Sequence, residues 1–173
     1  DKAAKGASLV VAKHQSAWDT FALIPLFRDP AMVLKDELKW IPLYGWFCIK
    51  FAHILVKRDK AAAALKAMLR DAKERVAQGR EVVIFPEGTR GHQADPATFK
   101  AGLFHLAEAF PEVQLIPAWI DNVQRVMPKG EVVPVPILCS VTFGAPIQLQ
   151  PGEDKRAFLE RARHAVIALR DVA

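Results

Sequence analysis

Short, almost uniformly apolar runs separated by stretches of helical periodicity constrain this chain's fold more than any other feature. ASLVVAK (7–13), AMVLKD (31–36), HILVK (53–57), EVVIF (81–85), VQLIPAWI (113–120) and SVTFGAPI (140–147) are rich in β-branched residues. Apolar runs without polar alternation predict strands buried on both faces, as in parallel sheets. Between them the spacing changes. Over 60–78, Leu65, Met68, Leu69, Ala72 and Val76 recur at helical intervals, and Gly79 stands where a C-terminal cap belongs. Further helices are expected at 16–28, near 100–109, and at 154–171, where Phe158, Ala162, Val166 and Leu169 share one face. The alternation predicts an α/β fold: a largely parallel central sheet with helices on both faces, in a single domain spanning 1–173.

Composition narrows the functional classes. With 51% hydrophobic and 25% charged residues, the 173-residue chain has a globular rather than a disordered composition. Its net charge of +5 favours anionic partners such as phosphorylated substrates, an acidic carrier or an anionic membrane surface. Nucleic acid is not expected, because basic runs and aromatic–basic interleaving are both missing. Cys48 and Cys139 form no CxxC pair and read as buried free thiols. Residues 132–152 carry no charge, but Pro134, Pro136, Pro146, Pro151, Gly144 and Gly152 would interrupt a membrane-spanning helix, so this stretch reads as strand and loop. The chain opens on Asp1 rather than Met. It is expected to be a trimmed piece that lacks an N-terminal membrane-associating segment.

In open parallel sheets, ligands gather beyond the carboxyl ends of the strands. His14 follows the first run, Arg58 follows HILVK, and PEGTR, with Glu87, Gly88, Thr89 and Arg90, follows EVVIF. On one ideal helix His14 and Asp19 would lie about 140° apart and could hardly meet. If His14 stays in the loop and the helix begins near Ser16, the imidazole can fold back onto Asp19. The carboxylate would then fix the ring tautomer and free the other nitrogen as a base. The plainer alternative is that Asp19 complements the helix dipole and His14 is an ordinary loop residue. In the third block, Pro86 and Gly88 make a tight turn that lets a ligand approach the backbone. Arg90 suits phosphate or carboxylate, and Glu87 is costly to bury unless backbone or substrate groups satisfy it.

Together these stretches resemble the glycerolipid acyltransferase family, and within it the 1-acyl-glycerol-3-phosphate acyltransferases. The resemblance rests on four blocks: HQSAWD (14–19) as the HxxxxD motif, ILVKR ending at Arg58, FPEGTR (85–90), and LIPAW around Pro117. KDELKWIPLYGW (35–46) and FKAGLFHLA (99–107) also look like family segments, so the likeness runs from about residue 7 to 147. Two positions depart from it: Lys13 stands where Asn is frequent, and Gly91 where Ser is common. The resemblance implies acyl transfer from acyl-CoA or acyl-carrier protein to the sn-2 hydroxyl of lysophosphatidate, at the cytoplasmic face of a membrane. It makes His14 and Asp19 catalytic, and Arg58, Glu87, Gly88, Thr89 and Arg90 substrate-binding. It calls for no metal and no cofactor beyond the donor.

Other readings stay open at this stage. Another lysophospholipid or an amino-acid lipid could be the acceptor within the same family. A metallohydrolase using His14, Asp19 and Glu87 as ligands lacks a second histidine at ligand spacing. A non-enzymatic lipid-binding module would have no use for a His/Asp pair. The segment from Trp40 to Ile49, crowded with aromatic and apolar residues and flanked by Lys35, Lys39 and Lys50, reads partly as core and partly as an interfacial patch beside the active-site mouth.

Overall fold

A computed structural model describes residues 6–57, 61–91, 93–127 and 133–172. Six strands form one sheet: β1 (Ser8–Ala12), β2 (Ala31–Lys35), β3 (Ile54–Val56), β4 (Glu81–Ile84), β5 (Gln114–Ile120) and β6 (Val141–Phe143), in the order β3-β2-β4-β1-β5-β6. All neighbours pair in parallel except β6, which runs antiparallel to β5. β1 lies between β4 and β5, with Val11 opposite both Ile84 and Pro117. The carboxyl ends of β1 and β4, which lead to His14 and Glu87, are therefore adjacent.

Strand parity splits the core in two, as a doubly covered sheet requires. Leu9, Val11, Val82 and Ile84 face one side, where they pack with Met68 and Ala72 of α3 (Ala61–Ala77), Leu103 and Leu106 of α4 (Gly102–Ala109), and Phe158, Ala162 and Val166 of α6 (Lys155–Ile167). Val10, Ala12, Met32 and Val83 face the other. There they meet Leu23 of α1 (Trp18–Leu23), Cys48 of α2 (Tyr44–Lys50) and Val123 of α5 (Val123–Val126). The expected α/β architecture, with helices on both faces, is the one observed. Among the described residues, no helix is long and apolar enough to cross a membrane.

Several boundaries differ from the sequence expectation. The helix expected over 16–28 is α1 followed by a 3₁₀ turn at Ile24–Leu26, because Pro25 brings no N–H to continue the α ladder. The strand expected over 140–147 shortens to β6, interrupted by Gly144 and Pro146, and only an isolated bridge from Ile147 to Leu115 continues it. The last helix begins after Asp154, whose carboxylate accepts from the N–H groups of Arg156 and Ala157. It ends at Ile167, ahead of a separate 3₁₀ turn at Arg170–Val172. A 3₁₀ turn at Asp36–Trp40, helix α2 and the short α5 were not expected. Around α2, Pro42 and Gly45 punctuate a segment so evenly apolar that no helical period stands out.

One buried histidine gives this fold a pH signature. His53, just before β3, accepts the Met32 N–H on Nδ1, and no described group meets its Nε2. Burial, reinforced by the Arg80 guanidinium and opposed by Asp29, pushes its pKa down from 6.5 to about 4. Below pH 6.5 the unfolded chain takes up a proton that the folded chain refuses until about pH 4. Stability should therefore fall as pH drops through that window. His53→Asn, which keeps an acceptor near Met32 N–H, should flatten this dependence in denaturant titrations at several pH values. An unchanged slope in that variant would assign the acid sensitivity to other groups.

Candidate active site

The sequence HQSAWD folds back on itself at the end of β1. Asp19, fully buried in the first turn of α1, turns one carboxylate oxygen toward the preceding loop. That Oδ2 accepts from His14 Nδ1 at 2.8 Å, Gln15 N at 2.6 Å and Ser16 N at 3.0 Å. One carboxylate thus shapes the loop and fixes the imidazole, so that Nδ1 carries the proton and Nε2 is left with its lone pair. The histidine ring lies against Phe85, 4.5 Å between centroids and 24° between planes, which holds its orientation from the side. The Ser16 hydroxyl is buried, donates to Met127 O at 2.6 Å and accepts from Trp18 N. Its role is to pin the loop beside α5.

The third block grips the histidine's backbone. Glu87 is almost completely buried, and its two oxygens accept from His14 N and Ala97 N, each at 2.8 Å. Gly91 N donates to His14 O at 2.8 Å, so both main-chain groups of His14 are bound by the segment after β4. These bonds satisfy the Glu87 carboxylate with backbone amides, which meets the cost of its burial. Gly88 closes the turn by donating to Phe85 O, with φ of 69°. A Cβ there would meet Lys100 Nζ at 2.8 Å, which places that ammonium against the turn. A Cβ at Gly91 would meet Glu87 Oε2 at 3.1 Å, already tight, so glycine in place of the family's common serine spares the carboxylate that contact.

Lys13 is only 1% exposed, although it follows directly on β1. Its ammonium donates to the Gln93 and Ala94 carbonyls and lies 5.2 Å from the Trp119 ring centroid. With its amide oxygen turned toward Lys13, Gln15 also accepts from Nζ at 2.9 Å. Burial pushes the Lys13 pKa down, against the pull of Glu87, Asp95 and Asp19. This cation ties down the loop that carries Ala97 toward Glu87.

Thr89 and Arg90 are exposed, and Arg90 makes no hydrogen bond or ion pair with other described residues. Arg58 lies outside the described residues, and β3, which precedes it, is an edge strand. The structure thus brings together His14, Asp19, Glu87, Gly88 and the start of the Arg90 loop. Sequence reasoning did not assign roles to Lys13, Phe85, Ser16 and Gly91. Lys13 carried a usable signal, a lysine continuing a wholly apolar run; the others are defined by partners far away in sequence.

Residues 1–121 match the family described as Acyltransferase. The chain belongs to the Acyltransferase family. Among curated relatives of this chain, the 1-acyl-sn-glycerol-3-phosphate acyltransferase of Pseudomonas aeruginosa is 32% identical over 159 residues, covering 91% of this chain and 60% of the relative. The mouse 1-acyl-sn-glycerol-3-phosphate acyltransferase alpha is 29% identical over 165 residues, covering 93% of this chain and 58% of the relative. This chain therefore spans about three fifths of the length of those relatives. The crystal structure of the 1-acyl-sn-glycerophosphate (LPA) acyltransferase PlsC from Thermotoga maritima shares the fold of this chain, with a TM-score of 0.74 at 24% identity over 99% of this chain and 69% of that one.

Proposed function

We propose that this acyltransferase moves a fatty acyl group from acyl-CoA or acyl-carrier protein to the sn-2 hydroxyl of 1-acyl-glycerol-3-phosphate, giving phosphatidate. The observation that carries the reading is the His14–Asp19 bond, which leaves Nε2 as the basic nitrogen at the adjacent carboxyl ends of β1 and β4. The printed names of the relatives support the acceptor. The acceptor oxygen attacks the thioester carbonyl while its proton passes to His14 Nε2. The tetrahedral carbon then expels the thiolate, the C–S bond breaks, and the imidazolium returns the proton to sulfur. Asp19 holds the ring and stabilises its charged form, so proton, acyl group and thiol balance with no cofactor and no acyl-enzyme.

Glu87 serves this site by holding His14's backbone, while Gly88 and Thr89 offer main chain and hydroxyl to the glycerol. Arg58 and Arg90 bind the acceptor phosphate, turning binding energy into alignment of the hydroxyl. The acceptor is an amphiphile, which puts the reaction at a membrane surface, on the cytoplasmic face where thioester donors are made.

A thiol-release assay over a matrix of donors and acceptors tests the reading. Turnover should require a lysophosphatidate, and Arg90→Ala should raise the acceptor KM by about tenfold or more, with Arg90→Lys a poor rescue. Thiol release that favours a phosphate-free acceptor would overturn the assignment of the acceptor. A change confined to the donor KM would transfer Arg90 to the donor.

A further inference from the structure

The segment after β2 leaves the sheet at the same end as His14 and carries a row of apolar side chains outward. Trp40 is 78% exposed, Leu43 86%, Trp46 62% and Ile49 64%. The spacing of three residues sets them along one edge of the 3₁₀ turn and α2. Their neighbours Phe47 and Cys48 turn inward, Phe47 against Tyr44, Phe51 and His53. The outward row is therefore a surface distinct from the core that the segment also supplies.

This edge is held rigidly. Leu43 takes φ of 64° and ψ of −51°, in a three-residue turn closed by Tyr44 N donating to Pro42 O at 2.7 Å. Such a turn is rare and strained in a non-glycine residue. The backbone around it is locked, because a Cβ at Gly45 would fall 1.8 Å from Lys39 O. The strain is spent on pointing a leucine into solvent. The edge also connects to α1 through a chain of tilted rings: the centroids of Trp18 and Phe21 of α1 lie 5.7 Å apart, and that of Phe21 lies 6.1 Å from that of Tyr44 of α2.

We propose that this edge docks the protein on the surface of an anionic lipid bilayer, Leu43 and Ile49 entering the acyl boundary and the indoles of Trp40 and Trp46 lying among the head groups. The cations on the indoles select this occupant. Lys50 Nζ lies 4.5 Å from the Trp46 ring centroid, and Lys39 Nζ lies 5.3 Å from that of Trp40. A protein partner or a second copy closing over the rings would strip water from those ammonium groups. At a bilayer surface they stay hydrated beside lipid phosphates while their stems and the rings below meet apolar chains. Lys39 already pairs with Asp36, so Lys50 and the exposed Lys35 supply the charge that attracts anionic lipid. The inference deepens the reading of the acceptor as a membrane lipid and rests on that reading for its purpose.

The test is sedimentation of the chain with vesicles of equal parts phosphatidylglycerol and phosphatidylcholine, with no thioester or acceptor present. The combined variant Leu43→Ser, Trp46→Ser, Ile49→Ser should lose about tenfold or more in partitioning. It should keep the wild-type unfolding temperature and the turnover of a monomeric short-chain acceptor. Lys50→Glu alone should weaken binding to these vesicles. Wild-type partitioning by the triple variant would overturn the proposal, as would a lowered unfolding temperature that showed the row to be core. So would concentration-dependent dimerisation of the wild type that the triple variant abolished. If partitioning depends on the row but no lysophosphatidate is turned over, the docking surface stands and the proposed acceptor falls.

Discussion

His14→Ala should lower kcat by about three orders of magnitude while leaving the fold in place, because it deletes the base proposed to take the acceptor proton. Asp19→Asn should cost nearly as much for a different reason. An amide at this position can keep the loop amides on its oxygen only by surrendering control of the ring, or hold the ring in the other tautomer. Asp19 Oδ2 also accepts from Gln15 N and Ser16 N, so Asp19→Ala would loosen the loop as well as the imidazole, and Asn is the cleaner probe. The two losses should combine far less than additively, since an unoriented histidine and an absent one fail alike. Steady-state kinetics on the two single variants and the double variant measure this. Strict additivity would show the residues acting separately, and near-normal turnover in folded His14→Ala would remove the proposed base.

Glu87→Gln should be damaging to a lesser degree, with a different kinetic signature. Both carboxylate oxygens accept backbone N–H groups in a buried setting, and an amide must turn its NH₂ toward one of those donors. A buried donor left unsatisfied costs about 1–3 kcal/mol, and here one of the two donors is the backbone N–H of His14, the proposed base. The variant should lose kcat by about tenfold to a hundredfold, with the acceptor KM nearly unchanged, and should melt earlier than the wild type. A large rise in acceptor KM with intact kcat would instead show Glu87 gripping the glycerol directly. The comparison of kcat, KM and unfolding temperature separates the two roles within one variant.

How much of this was legible in the sequence depends on the range of the contact. Strand identity and the doubly covered sheet followed from runs such as LVVA, where both parities are apolar, and Val10 and Val11 do pack into opposite clusters. The juxtaposition of His14 and Asp19 was legible because they stand only five positions apart across a helix start. Glu87 was legible as a residue in need of partners, but not which ones: His14 N is 73 positions away, and Ala97 N comes from a loop with no regular structure. The burial of Lys13 was not legible, because its partners are main-chain carbonyls that any loop sequence could supply. The helix at Tyr44–Lys50 was hidden by its own composition, since a segment that uses one face for the core and the other as an apolar surface shows no amphipathic period.

The central claim is direct transfer, with proton, acyl group and thiol exchanged in one site by His14 and no covalent enzyme intermediate. Rapid mixing of the enzyme with an acyl thioester, first without and then with lysophosphatidate, tests it most directly by following free thiol. The account predicts that no thiol appears until the acceptor is added, and that release then tracks phosphatidate formation. A burst of thiol stoichiometric with enzyme in the absence of acceptor would reveal an acyl-enzyme and contradict it.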